Sequence, residues 1–339
     1  MSSKSKITIA NANVEFVCDD DTISRAAVRA GLGFPYECNV GECGNCRFEL
    51  LEGDVAYLRE NPPAITERDA QRKRYLGCQA QPKGDCTIKV PLRDHYKSKH
   101  LPRKVTGTLT QAIDVTHDIR EFRFALSEPL KFLAGQYGLI TAPGVAGARA
   151  YSMCNTGEDG AEWHFQIRKT PNGAATGALF DRMKTGESLQ LDGPYGMAYL
   201  REDAPRDILC LGGGSGLSPM VSIARAAAAS PALKDRHIHF VYGGRTPADI
   251  CGEDMLRVLP GYAERIHYTP VVSMADDPAS AGWTGKTGFV HDVAEALYGE
   301  ALAGFEVYFA GPPMMAQAVT KMLIKAKVPA AQMHFDQFY

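Results

Sequence analysis

The sequence predicts a multidomain protein with three units in series: a small α+β unit, an antiparallel β-barrel and an α/β unit with a parallel sheet. Three observations support this fold class. The chain has 339 residues, more than the roughly 150 residues of a typical domain. Short apolar runs separated by turn residues fill residues 104–203, as in a barrel. Beyond residue 207, strand and helix patterns alternate, which is typical of a parallel sheet.

Composition excludes several classes of function. The hydrophobic fraction of 45% and the charged fraction of 22% are those of a globular protein. A formal net charge of -2 provides no basic field for nucleic acid or an anionic membrane. No apolar run approaches the roughly 20 residues of a membrane helix, and the N-terminus lacks the apolar core of a signal peptide. We therefore expect a cytoplasmic protein that neither binds nucleic acid nor spans a membrane.

The first unit is predicted over residues 1–95. Its elements follow from alternating apolar runs, a capped helix and glycine stops. They are a hairpin at 7–10 and 14–17, a helix from Asp21 or Thr22 to Ala30 that ends at Gly31, strands at 48–51 and 87–90, and a helical turn at 67–74. The polar segment 95–103 has no apolar periodicity, so it predicts a linker.

The other two units differ in the pattern of their apolar residues. Residues 104–203 are predicted to form the barrel, with one helix near 177–183. Residues 205–339 are predicted to form the α/β unit. Its strands are expected at 208–211, 238–242 and 307–309, and two of its helices at 219–229 and 314–326.

Four cysteines have the spacing of a metal site. Cys38, Cys43 and Cys46 follow the pattern C-x4-C-x2-C, and Cys78 comes 32 residues later. This is the plant-type spacing for a [2Fe–2S] cluster. Glycines within the loop let the backbone wrap closely and direct N–H groups at negatively charged sulfurs.

A structural zinc ion is the alternative, because it also takes four cysteines. Its ligands usually come as two close pairs, however, and here a triplet precedes one distant cysteine. The other cysteines lack ligand spacing and are expected to be small buried residues. They are Cys18, Cys86, Cys154, Cys210 and Cys251. An odd total of nine cysteines also disfavours a secreted disulfide framework.

A flavin site is indicated by the segment Arg149-Ala-Tyr-Ser-Met-Cys-Asn155. The Arg149 guanidinium suits a pyrophosphate, the Tyr151 ring suits stacking on isoalloxazine, and the Ser152 hydroxyl suits a hydrogen bond near the reactive flavin nitrogen. Alone, such a triplet is also compatible with an ordinary surface strand. Gly173 and Thr176 add a second phosphate contact, because they open the next predicted helix, and this favours FAD. An ordinary β-turn at Gly173 is compatible with that role.

A glycine-rich loop indicates a nicotinamide nucleotide. Leu211-Gly-Gly-Gly-Ser-Gly-Leu-Ser-Pro219 lies between a predicted strand and a predicted helix, the context that a phosphate-binding loop requires. The candidate binding residues are Gly212, Gly214, Gly216 and Pro219. Pro219 replaces the third glycine of G-x-G-x-x-G and suits the first helical turn.

Two later strand ends add to the nucleotide site, since ligands bind at the carboxyl ends of parallel strands. One carries Arg245, for which a ribose or phosphate contact and a solvated surface position are both open. The other carries Gly311 and Pro312 within Phe309-Ala-Gly-Pro-Pro-Met314.

In this order the three units resemble the ferredoxin–NADP reductase superfamily with an N-terminal plant-type ferredoxin fused to it, over almost the whole chain. More narrowly, the chain is similar to reductase components of bacterial aromatic-hydrocarbon oxygenases, those of toluene monooxygenases, xylene monooxygenase and naphthalene dioxygenase. The segments that carry this resemblance are Phe34-Pro-Tyr-Glu-Cys-Asn39, Thr116-His-Asp-Ile-Arg120, Gly135-Gln-Tyr137 and Leu191-Asp-Gly-Pro-Tyr-Gly196.

The resemblance implies a β-grasp fold for the first unit and roles for several residues. The R-x-Y-S pattern that binds FAD falls on Arg149, Tyr151 and Ser152, and the G-x-G-x-x-P pattern that binds the nicotinamide nucleotide falls on Gly214, Gly216 and Pro219. Similar proteins mostly use NADH, and Asp249 soon after Arg245 agrees with that preference.

The third unit departs from the family at one position and ends in an aromatic tail. Ala310 stands where relatives usually have cysteine, so the geometry of hydride transfer is expected to differ. In the tail Phe335-Asp-Gln-Phe-Tyr339, Phe338 or Tyr339 is expected to cover the flavin ring. Packing of the tail onto the barrel as core is the alternative. Tyr151, Ser152 and Phe338 are thus the candidate catalytic residues.

The expected reaction is electron transfer. A nicotinamide delivers two electrons as a hydride, whereas an oxygenase metal centre accepts one at a time, so FAD must split the pair. A plant-type cluster, at about -400 mV as a class value, then carries single electrons outward. The expected partner is an oxygenase hydroxylase component or an intermediate Rieske ferredoxin, with a preference for the di-iron monooxygenase class. We expect a monomer that docks transiently. A flavin- and metal-containing sensor without turnover is the alternative from another class.

Overall fold

The computed structural model describes residues 4–338. The first unit is a five-stranded sheet in the order β2-β1-β7-β3-β5, with a separate pair β4-β6. Its elements are β1 (Ser5–Ile9), β2 (Val14–Cys18), α1 (Ile23–Arg29), β3 (Arg47–Glu52), β4 (Val55–Tyr57), α2 (Glu67–Gln71), β5 (Arg74–Leu76), β6 (Ala80–Pro82) and β7 (Cys86–Lys89). The parallel pairing of β1 with β7, with α1 packed on β2, gives the expected β-grasp arrangement.

The second unit is a six-stranded antiparallel sheet in the order β11-β10-β13-β8-β9-β12. Its elements are β8 (Arg103–Asp114), β9 (Ile119–Leu126), β10 (Tyr137–Thr141), β11 (Arg149–Ser152), β12 (Glu162–Arg168), α3 (Ala174–Gly177) and β13 (Ser188–Tyr195). A bridge between Met153 and Phe165 joins the two edge strands and closes the barrel. The predicted helix near 177–183 is α3 followed by a π-helical turn over Ala178–Arg182.

The third unit is a parallel sheet in the order β17-β16-β15-β14-β18-β19. Its elements are β14 (Asp207–Gly213), α4 (Leu217–Ala229), β15 (Ile238–Gly244), α5 (Glu253–Arg257), β16 (Ile266–Val272), β17 (Lys286–Thr287), α6 (Val290–Tyr298), β18 (Phe305–Gly311), α7 (Pro313–Lys325) and β19 (Met333–Gln337). None of the helices within residues 4–338 is long and apolar enough to cross a bilayer.

The sequence prediction of three strands in this sheet was incomplete. It missed β16, because Pro270 lies in its middle and proline normally argues against a central strand. The pairing of β16 with β17 begins only at Val271, so Pro270 lies where the strand is still an edge on that side. The aromatic tail forms β19 beside β18, so its predicted alternative of packing onto the barrel was wrong.

A buried ionic contact joins the first unit to the barrel. Arg29 at the end of α1 donates to Asp21 at 2.7 Å and to Asp192 of β13 at 2.6 Å. The Asp21 and Asp192 side chains are only 5% and 9% exposed, so solvent screens the contact little. Tyr195 donates its hydroxyl to the same Asp192 at 3.1 Å. This buried ion pair therefore helps to hold the first unit on the barrel, together with the packing of Tyr137, Leu139 and Tyr195 against the core of the first unit.

The Arg29→Met substitution is expected to lower the free energy of unfolding by about 3 kcal/mol, because it leaves a buried carboxylate without its partner. Urea unfolding measures this loss. The matched control is Arg257→Met, which removes an exposed ion pair with Glu253 and should change stability by less than about 0.5 kcal/mol. An equal loss of unfolding free energy in the two variants would contradict a stabilising role for the buried contact of Arg29 with Asp192. Adding Asp192→Asn to Arg29→Met should recover part of the loss.

Helix α4 joins the barrel to the third unit through three side chains on one face. The Ser218 hydroxyl donates to the Ser152 carbonyl at 2.6 Å, Ser222 to Asn155 at 2.7 Å, and Arg225 to Cys154 at 2.8 Å. These acceptors are backbone carbonyls at the end of β11 and two and three residues beyond it. The strand with the predicted flavin residues is thus tied to the helix that follows the glycine-rich loop.

Candidate functional site

The four predicted cluster cysteines lie in and beside one loop of the first unit. Cys46 and Cys78 are buried, with their sulfurs 3.2 Å apart, and the Cys43 backbone N–H lies 3.4 Å from the Cys38 sulfur. The loop turns at Gly41 and Gly44, whose φ angles of +87° and +81° are left-handed and unfavourable for other residues.

The loop favours ionised sulfur at two of the four cysteines, Cys38 and Cys78, whereas the pKa values of Cys43 and Cys46 are raised by the hydrogen bonds that their thiols donate to those two sulfurs and by burial. The pKa of Cys38 is lowered to about 5, first by a hydrogen bond from the Cys43 thiol and then, against burial, by backbone N–H groups of Val40, Cys43 and Glu42. The pKa of Cys78 is also lowered, chiefly by a hydrogen bond from the Cys46 thiol. Thiolates are the form of cysteine that binds metal, and the backbone N–H groups directed at the Cys38 sulfur suit a negatively charged, metal-bound sulfur.

The sulfurs do not converge on one point as a single zinc ion requires. A tetrahedral zinc with bonds of about 2.3 Å holds its sulfurs about 3.8 Å apart. Within residues 4–338, three or more metal-binding groups with ligand atoms within 4.8 Å of one another occur only at His117, Asp118 and Asp249. The wider spread of the cysteine sulfurs fits a binuclear cluster better than zinc.

A cavity of about 840 Å³ lies where the three units meet. It is lined by residues of the cysteine loop, the strand β11, the start of α3, the glycine-rich loop and the C-terminal strand. Among its lining residues are Glu37, Cys38, Asn39, Gln79, Tyr137, Arg149, Tyr151, Ser152, Gly173, Thr176, Ser215, Asp336 and Phe338. The predicted flavin residues therefore share one cavity with a cluster ligand and with the glycine-rich loop.

The three residues of β11 present different chemistry to this cavity. Arg149 is exposed and donates only to the nearby carbonyls of Gly147 and Ala148 at 3.2 Å, so its guanidinium is available for a phosphate. Tyr151 is half-buried, and burial raises its pKa to about 12, so its phenol stays neutral. Ser152 is buried. This set fits the pyrophosphate and ring of FAD.

The start of α3 is held by its own side chains. Thr176 accepts from the Thr170 backbone N–H at 3.2 Å and lies 3.3 Å from the Gly173 carbonyl. A Cβ on Gly173 would come within 2.5 Å of the Thr176 hydroxyl. Both predicted residues border the cavity, and Thr176 also fixes the turn that brings α3 to it.

The glycine-rich loop packs directly against the end of β18. Gly212 lies in β14, Gly214 has a left-handed φ of +57°, and Pro219 is the third residue of α4. A Cβ on Gly216 would come within 2.0 Å of the Ala310 carbonyl oxygen, so only glycine allows this approach. The loop therefore meets the turn of Gly311 and Pro312, as predicted for one nucleotide site.

Arg245 and Asp249 lie at the end of β15, at the same edge of the sheet. The Arg245 side chain is exposed, and its backbone N–H donates to the Asp249 carboxylate at 3.0 Å. That carboxylate also accepts from Thr246 in a capping box. Asp249 thus has a structural use in addition to the predicted link with nucleotide preference.

The residues near the end of the chain meet the cavity from the third unit. Phe338 lines the cavity and packs against the core of the α/β unit. Tyr339, the other predicted covering residue, lies outside the described residues. Ala310 is buried, with its carbonyl against Gly216.

Sequence reasoning missed two residues of the site. Ser218 holds the Ser152 backbone, and its only signal was its place two residues into the helix after the glycine-rich loop. Asp336 borders the cavity, and a lone acidic residue within an aromatic tail was the signal that could have identified it.

Comparison with known protein families divides the chain in the same way. A 2Fe-2S iron–sulfur cluster binding domain matches residues 7–83, an oxidoreductase FAD-binding domain matches 106–199, and an oxidoreductase NAD-binding domain matches 210–321. The fold and site define a nicotinamide-dependent oxidoreductase with FAD and a [2Fe–2S] cluster.

Individual relatives cover nearly the whole chain. The ferredoxin–NAD(P)+ reductase CarAd of Metapseudomonas resinovorans is 38% identical over 93% of each chain. The ferredoxin–NAD+ reductase component of an alkene monooxygenase system from Xanthobacter autotrophicus is 34% identical over 97% of this chain and 99% of its own. A solved ferredoxin reductase in carbazole 1,9a-dioxygenase superposes with a TM-score of 0.92 at 33% identity, over 100% of this chain and 99% of its own. The chain belongs to the family of ferredoxin–NAD(P)+ reductases.

Proposed function

We propose that this chain is the reductase component of a multicomponent oxygenase and carries electrons from NADH to the oxygenase or its ferredoxin. The observation that supports it most is the single cavity bordered by Ser215, Ser152 and Cys38, one from each unit. Bound FAD would supply the chemistry that links the two carriers, namely acceptance of a hydride from NADH and transfer of single electrons to the cluster. The chain's own task is to hold the groups in sequence and to exclude water between them.

The proposed residue roles follow this sequence. Arg149, Tyr151, Ser152, Gly173 and Thr176 hold FAD, with Tyr151, Ser152 and Phe338 at its reactive ring. The nucleotide residues are Gly212, Gly214, Gly216, Pro219, Arg245, Gly311 and Pro312, and the cluster ligands are Cys38, Cys43, Cys46 and Cys78. The corresponding domains are residues 1–95, 104–203 and 205–339.

The Arg149→Ala substitution is expected to weaken FAD binding by about 10- to 100-fold, because a hydrogen bond to a charged group contributes about 1.5–3 kcal/mol. Fluorescence quenching of FAD titrated with apoprotein measures the dissociation constant. The matched control is Arg182→Ala, since Arg182 is outside the cavity lining and its side chain reaches only the Pro143 carbonyl at 3.5 Å. An unchanged dissociation constant for Arg149→Ala would remove Arg149 from the flavin site.

The electron acceptor remains a choice between two classes. The segment Phe34-Pro-Tyr36 before the cysteine loop and the ending His334-Phe-Asp-Gln-Phe338 are the two sequence features that favour a di-iron monooxygenase hydroxylase. A Rieske ferredoxin of a dioxygenase system is the second candidate, favoured by the 36% identity to the reductase component of Naphthalene 1,2-dioxygenase/salicylate 5-hydroxylase systems from Ralstonia. The proposed form is a cytoplasmic monomer that docks transiently.

Reconstituted turnover tests this proposal. Purified holoprotein and NADH are combined separately with a di-iron hydroxylase and with a Rieske ferredoxin–dioxygenase pair, and product formation is measured. NADPH is run in parallel. Product from either system with NADH supports the reductase role and identifies the acceptor class. NADH consumption without reduction of either acceptor would contradict the proposed delivery to an oxygenase.

A further inference from the structure

A buried side-chain amide borders the cavity from the barrel. Gln166 of β12 is 2% exposed and lines the cavity together with Ser152 and Ser215. Successive side chains of a strand point to opposite faces of the sheet. Phe165 and Ile167 belong to the core of the barrel, so Gln166 points away from that core. The amide therefore lies on the outer face of the barrel, beside a predicted flavin residue and the glycine-rich loop.

Contacts place this part of β12 against the α/β unit. The Ser218 hydroxyl of α4 accepts from the Gln166 backbone N–H at 3.3 Å and donates to the Ser152 carbonyl at 2.6 Å. Two residues further along the same face of β12, Arg168 lies against the glycine-rich loop, since a Cβ on Gly214 would come 3.4 Å from its guanidinium. Gln166 thus lies where the flavin strand and the nucleotide loop approach each other.

A charged neighbour orients the amide. Gln166 Nε2 donates to the Glu121 carboxylate at 2.9 Å and lies 3.1 Å from the Met255 sulfur of α5. Burial alone would raise the pKa of Glu121, but hydrogen bonds from Gln166 and Arg123 lower it overall, so the carboxylate is ionised. An ionised carboxylate only accepts hydrogen bonds. The amide must therefore turn its N–H2 group toward Glu121 and its carbonyl oxygen the other way.

The carbonyl oxygen oriented in this way lacks a donor. Gln166 Oε1 is inaccessible to solvent and has no hydrogen-bond partner within residues 4–338. Buried polar atoms are normally paired, so an unpaired acceptor beside a cavity indicates that a ligand supplies the donor. The nicotinamide ring must lie between the α/β unit and the flavin ring for hydride transfer, and its carboxamide carries an N–H2 donor. The position of Gln166, facing the α/β unit, favours this donor over the N–H of the flavin ring.

We infer that Gln166 recognises the nicotinamide of NADH, with its Oε1 atom accepting a hydrogen bond from the carboxamide N–H2 group. The inference rests on the proposed function and adds to it a residue that determines specificity for the carboxamide. Gln166 orients the ring for hydride transfer, and no covalent bond to it forms or breaks. Glu121 acts through Gln166 and is a positioning residue.

Nucleotide binding to oxidised holoprotein tests the inference without turnover. Isothermal titration calorimetry compares NAD+ with 3-acetylpyridine adenine dinucleotide, in which a methyl group replaces the carboxamide N–H2. Wild type should bind NAD+ about three- to tenfold more tightly than the analogue, because the analogue lacks the donor. Gln166→Met keeps the length of the side chain but lacks the carbonyl oxygen, so its affinities for the two ligands should agree within about twofold.

Matched controls locate the effect. ADP-ribose has no nicotinamide ring, so wild type and Gln166→Met should bind it equally. Gln190→Met, at an exposed position on β13 of the same barrel, should keep the wild-type preference for NAD+. Glu121→Gln retains Gln166 but removes the charge that orients its amide, so the preference for NAD+ should fall below that of wild type. This second variant, and the comparison of ligands in wild type, test the inference independently of the folding of Gln166→Met.

Several outcomes would overturn the inference. One is equal binding of NAD+ and the analogue by wild type, and another is an undiminished preference for NAD+ in Gln166→Met. A loss of FAD affinity in Gln166→Met with unchanged nucleotide preference would instead assign Gln166 to the flavin. Absence of flavin bleaching by NADH in wild type would refute the proposed function itself, so the two failures are distinguishable.

Discussion

The Cys78→Ser variant is expected to keep NADH-driven flavin bleaching and to lose the paramagnetic signal of the reduced cluster. Cys78 is fully buried, and the cysteine whose sulfur lies 3.2 Å from it, Cys46, is itself a predicted ligand and so does not replace it. Delivery of electrons to a one-electron acceptor protein should fall by more than about a hundredfold, since even residues around a metal site contribute 10- to 100-fold. Electron paramagnetic resonance and acceptor reduction measure the two effects.

The same domain offers a matched control for this substitution. Cys86 is also buried, but its thiol faces the carbonyls of Asp54 and Gly84, which a serine hydroxyl can reach as well. Cys86→Ser should therefore retain the cluster signal and acceptor reduction. Retention of a full cluster signal by Cys78→Ser, or its loss in both variants, would contradict the ligand assignment.

The Gly216→Ala variant is expected to weaken NADH binding by about 10- to 100-fold. The added methyl group would come within 2.0 Å of the Ala310 carbonyl oxygen, and a backbone oxygen cannot rotate away. The loop must therefore move away from the turn at Gly311, at a cost of about 1–3 kcal/mol. Flavin and cluster contents should remain normal, because neither site includes this contact.

The NADH concentration dependence of flavin bleaching measures the effect. The matched control is Gly304→Ala in the same unit, where an added Cβ meets no atom within 4 Å. Gly304→Ala should bind NADH like wild type. Normal NADH binding by Gly216→Ala would show that the approach of the loop to β18 is not required for the nucleotide site.

The cluster and the fold class were accessible to sequence reasoning because their signals are local. Ligand spacing at Cys38, Cys43 and Cys46 lies within nine residues, and each turn of a βα unit is marked by nearby glycines. The glycine-rich loop was predicted with its strand and helix because all three are consecutive.

Contacts between distant segments were not accessible in this way. Arg29 and Asp192 are 163 residues apart, and nothing in either local sequence indicates that they pair. Asp336 comes to border the cavity only when β19 is added to the parallel sheet. The strand β16 was missed for a different reason. Pro270 lacks a backbone N–H, which argues locally against a central strand, but the pairing of β16 with β15 in the folded sheet tolerates it.

An anaerobic NADH titration of purified holoprotein, followed by visible absorbance and electron paramagnetic resonance, tests the central claim most directly. The account predicts flavin bleaching together with the signal of a reduced [2Fe–2S] cluster. Flavin bleaching without that signal in cluster-replete protein would contradict transfer between the two centres. Absence of bleaching with both NADH and NADPH would contradict the reductase function altogether.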